Sequence, residues 1–512
     1  MSRTKNSIRN AKYSIFSQLI VILISFLARM VFVHALSAEY LGLNGLFTNI
    51  ISMLSFAELG IGTSIVFSLY RPLAEKNESK INALMNLYKK AYMVIGLVVG
   101  VLGLLLTPFL GYFISDLPDI PNIKLIYLMF VLNSVLSYFF SYRRSLIIAD
   151  QKSYINSIFQ SSSDLILNIS QMIVLVLTHN YILYLSLKII STILLNISIS
   201  LIVIKLYPYL NHKSKDKLED EEKKSIVRNV KALSWHKIGG IVVFGTDSLL
   251  LSKFINVVAV GIYSNYLLII NALNLLFGLV FQSITASVGN LGTTESKEKN
   301  IFIFNCIDLI CFWIYAIASI SLINLFNPFI RLWLGEEYLF PTSTVVIIVI
   351  NFYLSGRRKS VMTFKDAFGL FWNDRYKPIF EALIKLISSI ILVKFFGVKG
   401  IFIGTAISTI TTCFWIEPYI LFKHGFKSSV QSYFNKYIWY AILAIFIGVL
   451  TGFVCSIFSD TSFVGFVIRM IVCATIPNLL LLLIFWRTKE FEYLKKSLIK
   501  QFRYNKKGNI NV

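Results

Sequence analysis

Acidic residues are scarce in this chain of 512 residues: 26 Asp and Glu stand against 49 Lys and Arg, and charged residues make up only 15%. Soluble domains carry about 25% charged residues, so an ordinary water-soluble fold is excluded. The five cysteines (Cys306, Cys311, Cys413, Cys455, Cys473) include no C-x-x-C pair and fall in apolar runs, which argues against a disulfide framework or a metal cluster. There is no G-x-x-x-x-G-K-[ST] phosphate loop, no H-E-x-x-H, no Cys/His metal spacing and no D-x-D pair. Together these absences point away from an ATP-driven pump, a metalloenzyme and a metal-dependent sugar transferase. No cofactor or metal is expected, and no catalytic residue is nominated.

What the chain has instead is apolar length. Hydrophobic residues reach 56%, with 42 Phe and 26 Tyr. A membrane-spanning helix needs about 20 apolar residues, and runs of that size recur from end to end. Fourteen spans are predicted, at about 13–36, 43–70, 91–114, 123–147, 154–178, 181–206, 235–255, 258–288, 301–323, 340–356, 377–396, 398–421, 437–458 and 463–486. The expected fold class is therefore an all-α polytopic membrane protein. The first run is too long for a cleaved signal peptide and reads as an uncleaved span. With the N-terminus inside, only Lys124, Lys253, Arg331, Lys394 and Lys399 fall outside, and Arg29, Lys188, Lys385 and Arg469 fall within spans. That asymmetry follows the positive-inside rule, places both termini in the cytoplasm, and assigns the net charge of +23 to cytoplasm and anionic lipid rather than nucleic acid. The outer loops are short, the longest about Asn324 to Leu339, so an external active site has little protein to be built from.

The polar stretch Asn211 to Asn229 divides two sets of six spans. The expected organisation is an N-lobe at 1–206, a cytoplasmic linker at 207–234, a C-lobe at 235–424, and two further spans with a basic tail at 425–512. The lobes read as a degenerate repeat at an offset of 219 residues: YLGLNGLFTNIISML (Tyr40 to Leu54) falls on AVGIYSNYLLIINAL (Ala259 to Leu273), with Gly42 on Gly261 and Phe47 on Tyr266. Six spans per lobe make the two repeats parallel. Beyond the last span, Phe491, Leu494, Leu498 and Phe502 recur at helical spacing, which predicts a basic interfacial helix.

Polar residues inside the spans are the candidate site. In the first span, Ser14, Ser17, Gln18, Ser25 and Arg29 share one face, and no acid lies three or four residues from Arg29. An arginine at bilayer depth costs at least about 2.5 kcal/mol, so Arg29 either faces a hydrated cavity or pairs with another helix. Gln160, Asp164, Asn168 and Gln171 line one face of the fifth span; His236, Gly240 and Asp247 line one face of the seventh. Glu58, Lys188 and Asp308 also lie within spans, and the 219-residue shift sets Asp247 beside Arg29 in depth. Glu381 and Lys385, four apart, read as a local pair; Arg469 leans to the outer interface; His34, opposite Arg29, reads as a packed or interfacial histidine.

The segment EYLGLNGLFTNIISMLSFAELGIGTSIVFSLYRPLAEKN, with ADQKSYI, FGTDSLLLS and FWNDRYKPIFEALI, resembles Wzx-type polysaccharide flippases of the multidrug/oligosaccharidyl-lipid/polysaccharide exporter superfamily. The resemblance spans residues 1–490. It implies two six-helix lobes around a central cavity in a bacterial plasma membrane. It also implies a polyprenyl-diphosphate-linked oligosaccharide as cargo, moved by alternating access for capsule, exopolysaccharide or wall assembly. A polysaccharide polymerase and chain-length proteins are the partners it suggests. On that reading Arg29 and Lys188 bind the diphosphate, because a guanidinium matches phosphate oxygens bidentately. Gln18, Gln160, Asn168 and Gln171 offer amides to sugars, and Asp247, Glu58, Asp164 or Asp308 balances charge or carries a coupling ion. The first lobe has fewer arginines than peptidoglycan-precursor flippases, which points away from lipid II. A drug or cation antiporter of the same superfamily is the alternative, and a membrane polysaccharide polymerase is a more distant one.

Overall fold

The computed structural model describes residues 3–497 except 59–60, 116–117, 212–217, 219–220, 222–223, 225 and 227–244. It gives the backbone alone at 3–17, 56–57, 63, 140, 283, 286–287, 289–294 and 371. The side chains of Ser14 and Ser17, and His236, Gly240, Leu498, Phe502 and most of the 207–234 linker, therefore lie outside the described residues.

Among the described residues the chain is helical and has no strand. The helices are α1 (Arg3–Ala35), α2 (Ala38–Leu54), α3 (Ile61–Ala74), α4 (Glu78–Phe113), α5 (Ile123–Ala149), α6 (Ser153–Thr178) and α7 (Tyr181–Leu206). They continue with α8 (245–254), α9 (Val257–Thr294), α10 (Lys297–Leu334), α11 (Thr342–Ala367) and α12 (Lys377–Phe396). The last three are α13 (Val398–Phe426), α14 (Gln431–Ser456) and α15 (Phe463–Phe485). Nine of the described helices are long and apolar enough to cross a membrane, and α5 makes a tenth if its two bent halves count as one span. The protein is a multi-pass membrane protein. Side-chain caps start several helices: Asn77 Oδ1 accepts from the Lys80 N–H, and Asn180 Oδ1 accepts from the Ile182 and Leu183 N–H groups.

Three departures from the expected spans have physical causes. The segment predicted at 43–70 is interrupted by a 3₁₀ turn at Ser55–Glu58, whose last residue accepts from the Tyr92 hydroxyl. α5 bends by 45° between Ile123–Phe139 and Ser141–Ala149 without a proline. There the Ser137 and Ser141 hydroxyls donate to the carbonyls of Ser134 and Tyr138, competing with the helical ladder. α10 runs on to Leu334, so the outer connection predicted at Asn324 to Leu339 shortens to a turn around Gly335 and the 3₁₀ segment Glu336–Tyr338.

The chain forms two compact units, residues 1–264 and 265–512, with the boundary inside α9. In the first, α1 packs on α6, and α5 packs on α4 and α7. Its core includes Ile65, Leu69, Tyr88, Val99, Leu146, Ile199 and Val203. In the second, α12 packs on α13, and α10 packs on α11, α14 and α15. The helical turn at 489–497 sets Phe491 and Leu494 against Trp313 and Phe485 of this second core. The first half of the predicted interfacial stripe is thus spent on the protein itself.

Candidate substrate-binding site

Arg29 projects from α1 about 9 Å along the helix from its Ala35 end. Its Nη1 donates to Ser264 Oγ at 2.8 Å, and Tyr181 and Tyr184 of α7 stand beside the guanidinium. Those tyrosines belong to an aromatic cluster: Phe32 meets Tyr184 edge-on at 5.3 Å, and Tyr40 meets Tyr181 at 5.1 Å. Of the two readings left open by the sequence, pairing with another helix is present in this structure, through a hydroxyl rather than a carboxylate at Ser264. Asp247 of α8 is buried and hydrogen-bonds the hydroxyl of Tyr263, the residue next to Ser264. Adjacent residues of α9 thus engage Arg29 and Asp247.

Lys188 lies on α7, about 10 Å from the Tyr181 end. That end adjoins the Ala35 end of α1, since His179 Nδ1 lies 3.1 Å from the Ala35 carbonyl oxygen. The Lys188 ammonium stands 5.1 Å from the Phe130 ring centroid, and among the described residues no carboxylate lies within 4 Å of it. A cation over an aromatic face is stabilised by roughly 1–2 kcal/mol, less than the cost of placing lysine at bilayer depth.

The amide face of α6 divides. Gln171 is buried and donates to the Tyr184 carbonyl at 2.9 Å, and Asn168 donates to the Asp164 carbonyl at 2.7 Å. In each residue one side-chain N–H is thus committed to a backbone acceptor. Gln160 and Asp164 instead join a residue outside the predicted set. Gln160 Nε2 donates to Asp164 Oδ1 at 3.0 Å, while Gln160 Oε1 accepts from Arg144 Nη1 at 3.2 Å. Arg144 Nη2 donates to Asn196 Oδ1 at 2.9 Å. Gln18 is half-buried on α1. Glu58 accepts from the Tyr92 hydroxyl at 3.3 Å at the end of the 3₁₀ turn.

The second unit holds its charges differently. Asp308 accepts from Arg357 Nη2 at 3.0 Å and from the Ser360 hydroxyl at 2.7 Å. The Arg357 guanidinium, fully buried, stands 5.3–5.7 Å from the ring centroids of Phe312, Tyr437 and Tyr440. Arg358 donates to both oxygens of Glu417, at 2.9 and 2.7 Å, and reaches Glu381 at 3.5 Å. Lys377 bonds Glu417, and Lys365 bonds Asp374. Glu381 therefore pairs across helices with Arg358, beyond its expected local contact with Lys385. Glu417 sits between π-helical turns at Thr409–Cys413 and Leu421–Phe426, before Pro418, where the widened backbone admits the ion cluster. α11 and α12 carry too many charged residues to count among the apolar spans, and these pairs match several of those charges inside the protein.

Elsewhere, Arg469 donates to the Phe458 carbonyl at 2.6 and 3.1 Å, and His34 Nδ1 lies 2.8 Å from the carbonyl oxygen of Met30. All five cysteines are buried and free. Among the described residues no cluster of three or more His, Cys, Asp or Glu is placed to hold a metal ion.

This architecture is that of the membrane flippases and transporters. The structure superposes on the lipid II flippase MurJ in an inward closed conformation with a TM-score of 0.66 at 17% identity, covering 92% of this chain and 98% of that one. It superposes on an inward-facing multidrug resistance MATE family transporter of the MOP superfamily with a TM-score of 0.61 at 13% identity, over 80% and 98% of the two chains. For the Vibrio cholerae MATE transporter VcmN the values are 0.56, 15%, 83% and 98%. Identities this low establish the shared fold. A family model described as polysaccharide biosynthesis protein matches residues 7–286, more than half of the chain, and the protein belongs to that family. No curated protein matches it.

Proposed function

We propose that the protein is a flippase that moves a polyprenyl-diphosphate-linked oligosaccharide from the inner to the outer leaflet of a bacterial plasma membrane by alternating access. Capsule, exopolysaccharide or wall polymer assembly is the destination, and both termini are cytoplasmic. The observation that carries the reading is Lys188, held at membrane depth over Phe130 with no carboxylate within 4 Å among the described residues, near the end of the unit that also bears Arg29. A cation kept there without a counter-charge is costly in an empty protein and favourable once a diphosphate arrives. Arg29, which bonds Ser264 here, carries a guanidinium that matches phosphate oxygens, and the Phe32, Tyr40, Tyr181 and Tyr184 rings offer apolar faces to sugar C–H groups. Membership of the polysaccharide biosynthesis family supports a sugar-bearing cargo. A drug or cation antiporter would need carboxylates open to a cation, whereas Arg358 and Lys377 neutralise Glu417 here.

Deleting the gene should leave lipid-linked repeat units accumulating in the inner leaflet, with surface polymer lost. Wild-type protein should restore export, and Arg29→Ala at equal abundance should not. Unchanged surface polymer and unchanged leaflet distribution in the deletion strain would refute the proposal.

A further inference from the structure

Arg144 is a half-buried cation that the proposed pathway does not yet use. It stands on α5 beyond the 45° bend, about 8 Å along the helix from the Ala149 end. In the proposed orientation that end is cytoplasmic, opposite in depth to Arg29 and Lys188. The guanidinium touches three helices: its own, α6 through Gln160, and α7 through Asn196. Both hydrogen-bonded partners are neutral amide oxygens. Its Nε is buried and makes no hydrogen bond, and among the described residues no carboxylate comes within 4 Å; Asp164, hydrogen-bonded to Gln160, acts on the guanidinium from further away. Arg143 beside it is likewise bonded to hydroxyls, those of Ser200 and Tyr142.

The second unit supplies an internal contrast. Its Arg358 stands on α11, facing α12 and α13. There the partners are carboxylates: Glu417 on α13 and Glu381 on α12. A guanidinium meant only to hold three helices together is best satisfied in that way, because an unneutralised buried charge is destabilising. Neutral amides orient a guanidinium without cancelling its charge, so an incoming anion need not displace an internal competitor. On α7, Asn196 is about 12 Å, two turns, from Lys188, which puts a second cation within one step along the same helix.

We propose that Arg144, positioned by Gln160 and Asn196, is a cytoplasmic-side capture site for the diphosphate of the lipid carrier, which then passes to Lys188 and Arg29. The inference rests on the flippase reading above and adds a first station to it. The diphosphate is taken here as part of a polyprenyl lipid, not as a bulk anionic phospholipid.

The test is binding of sugar-free polyprenyl diphosphate to full-length protein in nanodiscs of neutral lipid, with thermal unfolding of each variant measured alongside. Arg144→Gln should weaken binding by about 10- to 100-fold, the range set by losing a charge-assisted hydrogen bond. Asn196→Asp is the decisive variant. It places a carboxylate where Asn196 Oδ1 now lies, 2.9 Å from Arg144 Nη2, copying the second unit. A capture site then loses affinity by a similar factor while the unfolding temperature holds or rises. A purely structural arginine keeps wild-type affinity in Asn196→Asp, and that result overturns the inference. If wild type and Arg29→Gln differ but Asn196→Asp binds like wild type, the flippase reading stands and the capture site falls. If wild-type protein binds no polyprenyl diphosphate, both fall. If added phosphatidylglycerol competes away the Arg144-dependent binding at equal concentration, the site belongs to bulk lipid and the inference is overturned.

Discussion

Gly42 and Gly261 lie against each other: a Cβ built on Gly261 would stand 3.0 Å from the Gly42 nitrogen and 2.9 Å from the Ala38 carbonyl oxygen. A Cβ on Gly42 would overlap the Val257 carbonyl. These are the two positions that the 219-residue offset equates. The α2 and α9 backbones can approach this closely only because neither position carries a side chain.

Gly42→Val should therefore destabilise the conformation seen here by about 1–3 kcal/mol, the usual cost of overpacking. Gly278→Ala, with no neighbouring atom within 4 Å of its Cβ, should be neutral. Thermal unfolding of the purified proteins in detergent separates the two, and equal temperatures would contradict the close crossing.

The Asp308–Arg357 pair is a structural clamp in this geometry. Asp308→Ala strands a fully buried guanidinium and should cost about 3–5 kcal/mol, whereas Asp308→Ala with Arg357→Met should recover most of the loss. Unfolding temperatures of the single and double variants check this. A stable Asp308→Ala protein that lost only its response to an ion gradient would instead make Asp308 a coupling residue.

Asp460, in the loop between α14 and α15 and outside the spans, is held by Arg331 near the end of α10. The Arg331 Nη1 meets Asp460 Oδ2 at 2.9 Å, and this hydrogen-bonded guanidinium keeps the Asp460 carboxyl below the usual carboxylate range. A depressed folded-state pKa gives stability that is present above the ordinary Asp value of about 3.9 and is lost as pH falls through the folded value. Asp460→Asn should lower the unfolding temperature at pH 7, and the difference from wild type should vanish in strong acid. A difference that grew on acidification would have the wrong sign.

Asp247 and Tyr263 link α8 to α9 beside the residue that holds Arg29. If Asp247 couples transport to protons, Asp247→Asn should retain cargo binding while its transport rate no longer responds to an imposed pH gradient. Measuring flipping in proteoliposomes with and without that gradient decides it; a full gradient response in the variant would remove Asp247 from coupling.

Much of this molecule can be read from its apolar runs, because hydrocarbon demands continuous helices and water-facing turns leave clear breaks. α6 and α7 end within a residue or so of their expected limits for that reason. Long-range pairing is what the runs conceal. Glu417 is a lone acid in FWIEPYILF, and its partner Arg358 is distant in sequence, so no spacing rule on one helix exposes the bond. Arg144 carries no signal of its own in the sequence, because the Gln160 and Asn196 amides that meet it come from two other helices. Local spacing shows only part of a network: Glu381 has a lysine four residues on, and it also reaches Arg358 on another helix.

Flipping of a fluorescent polyprenyl-diphosphate oligosaccharide in proteoliposomes, by wild type and Arg29→Ala at matched reconstitution, tests the account most directly. Wild-type protein should equilibrate the lipid between leaflets, and the variant should be slower by about tenfold or more, as expected when one charged hydrogen-bonding group is lost. Equal rates for the two proteins, with the variant folded, would contradict it.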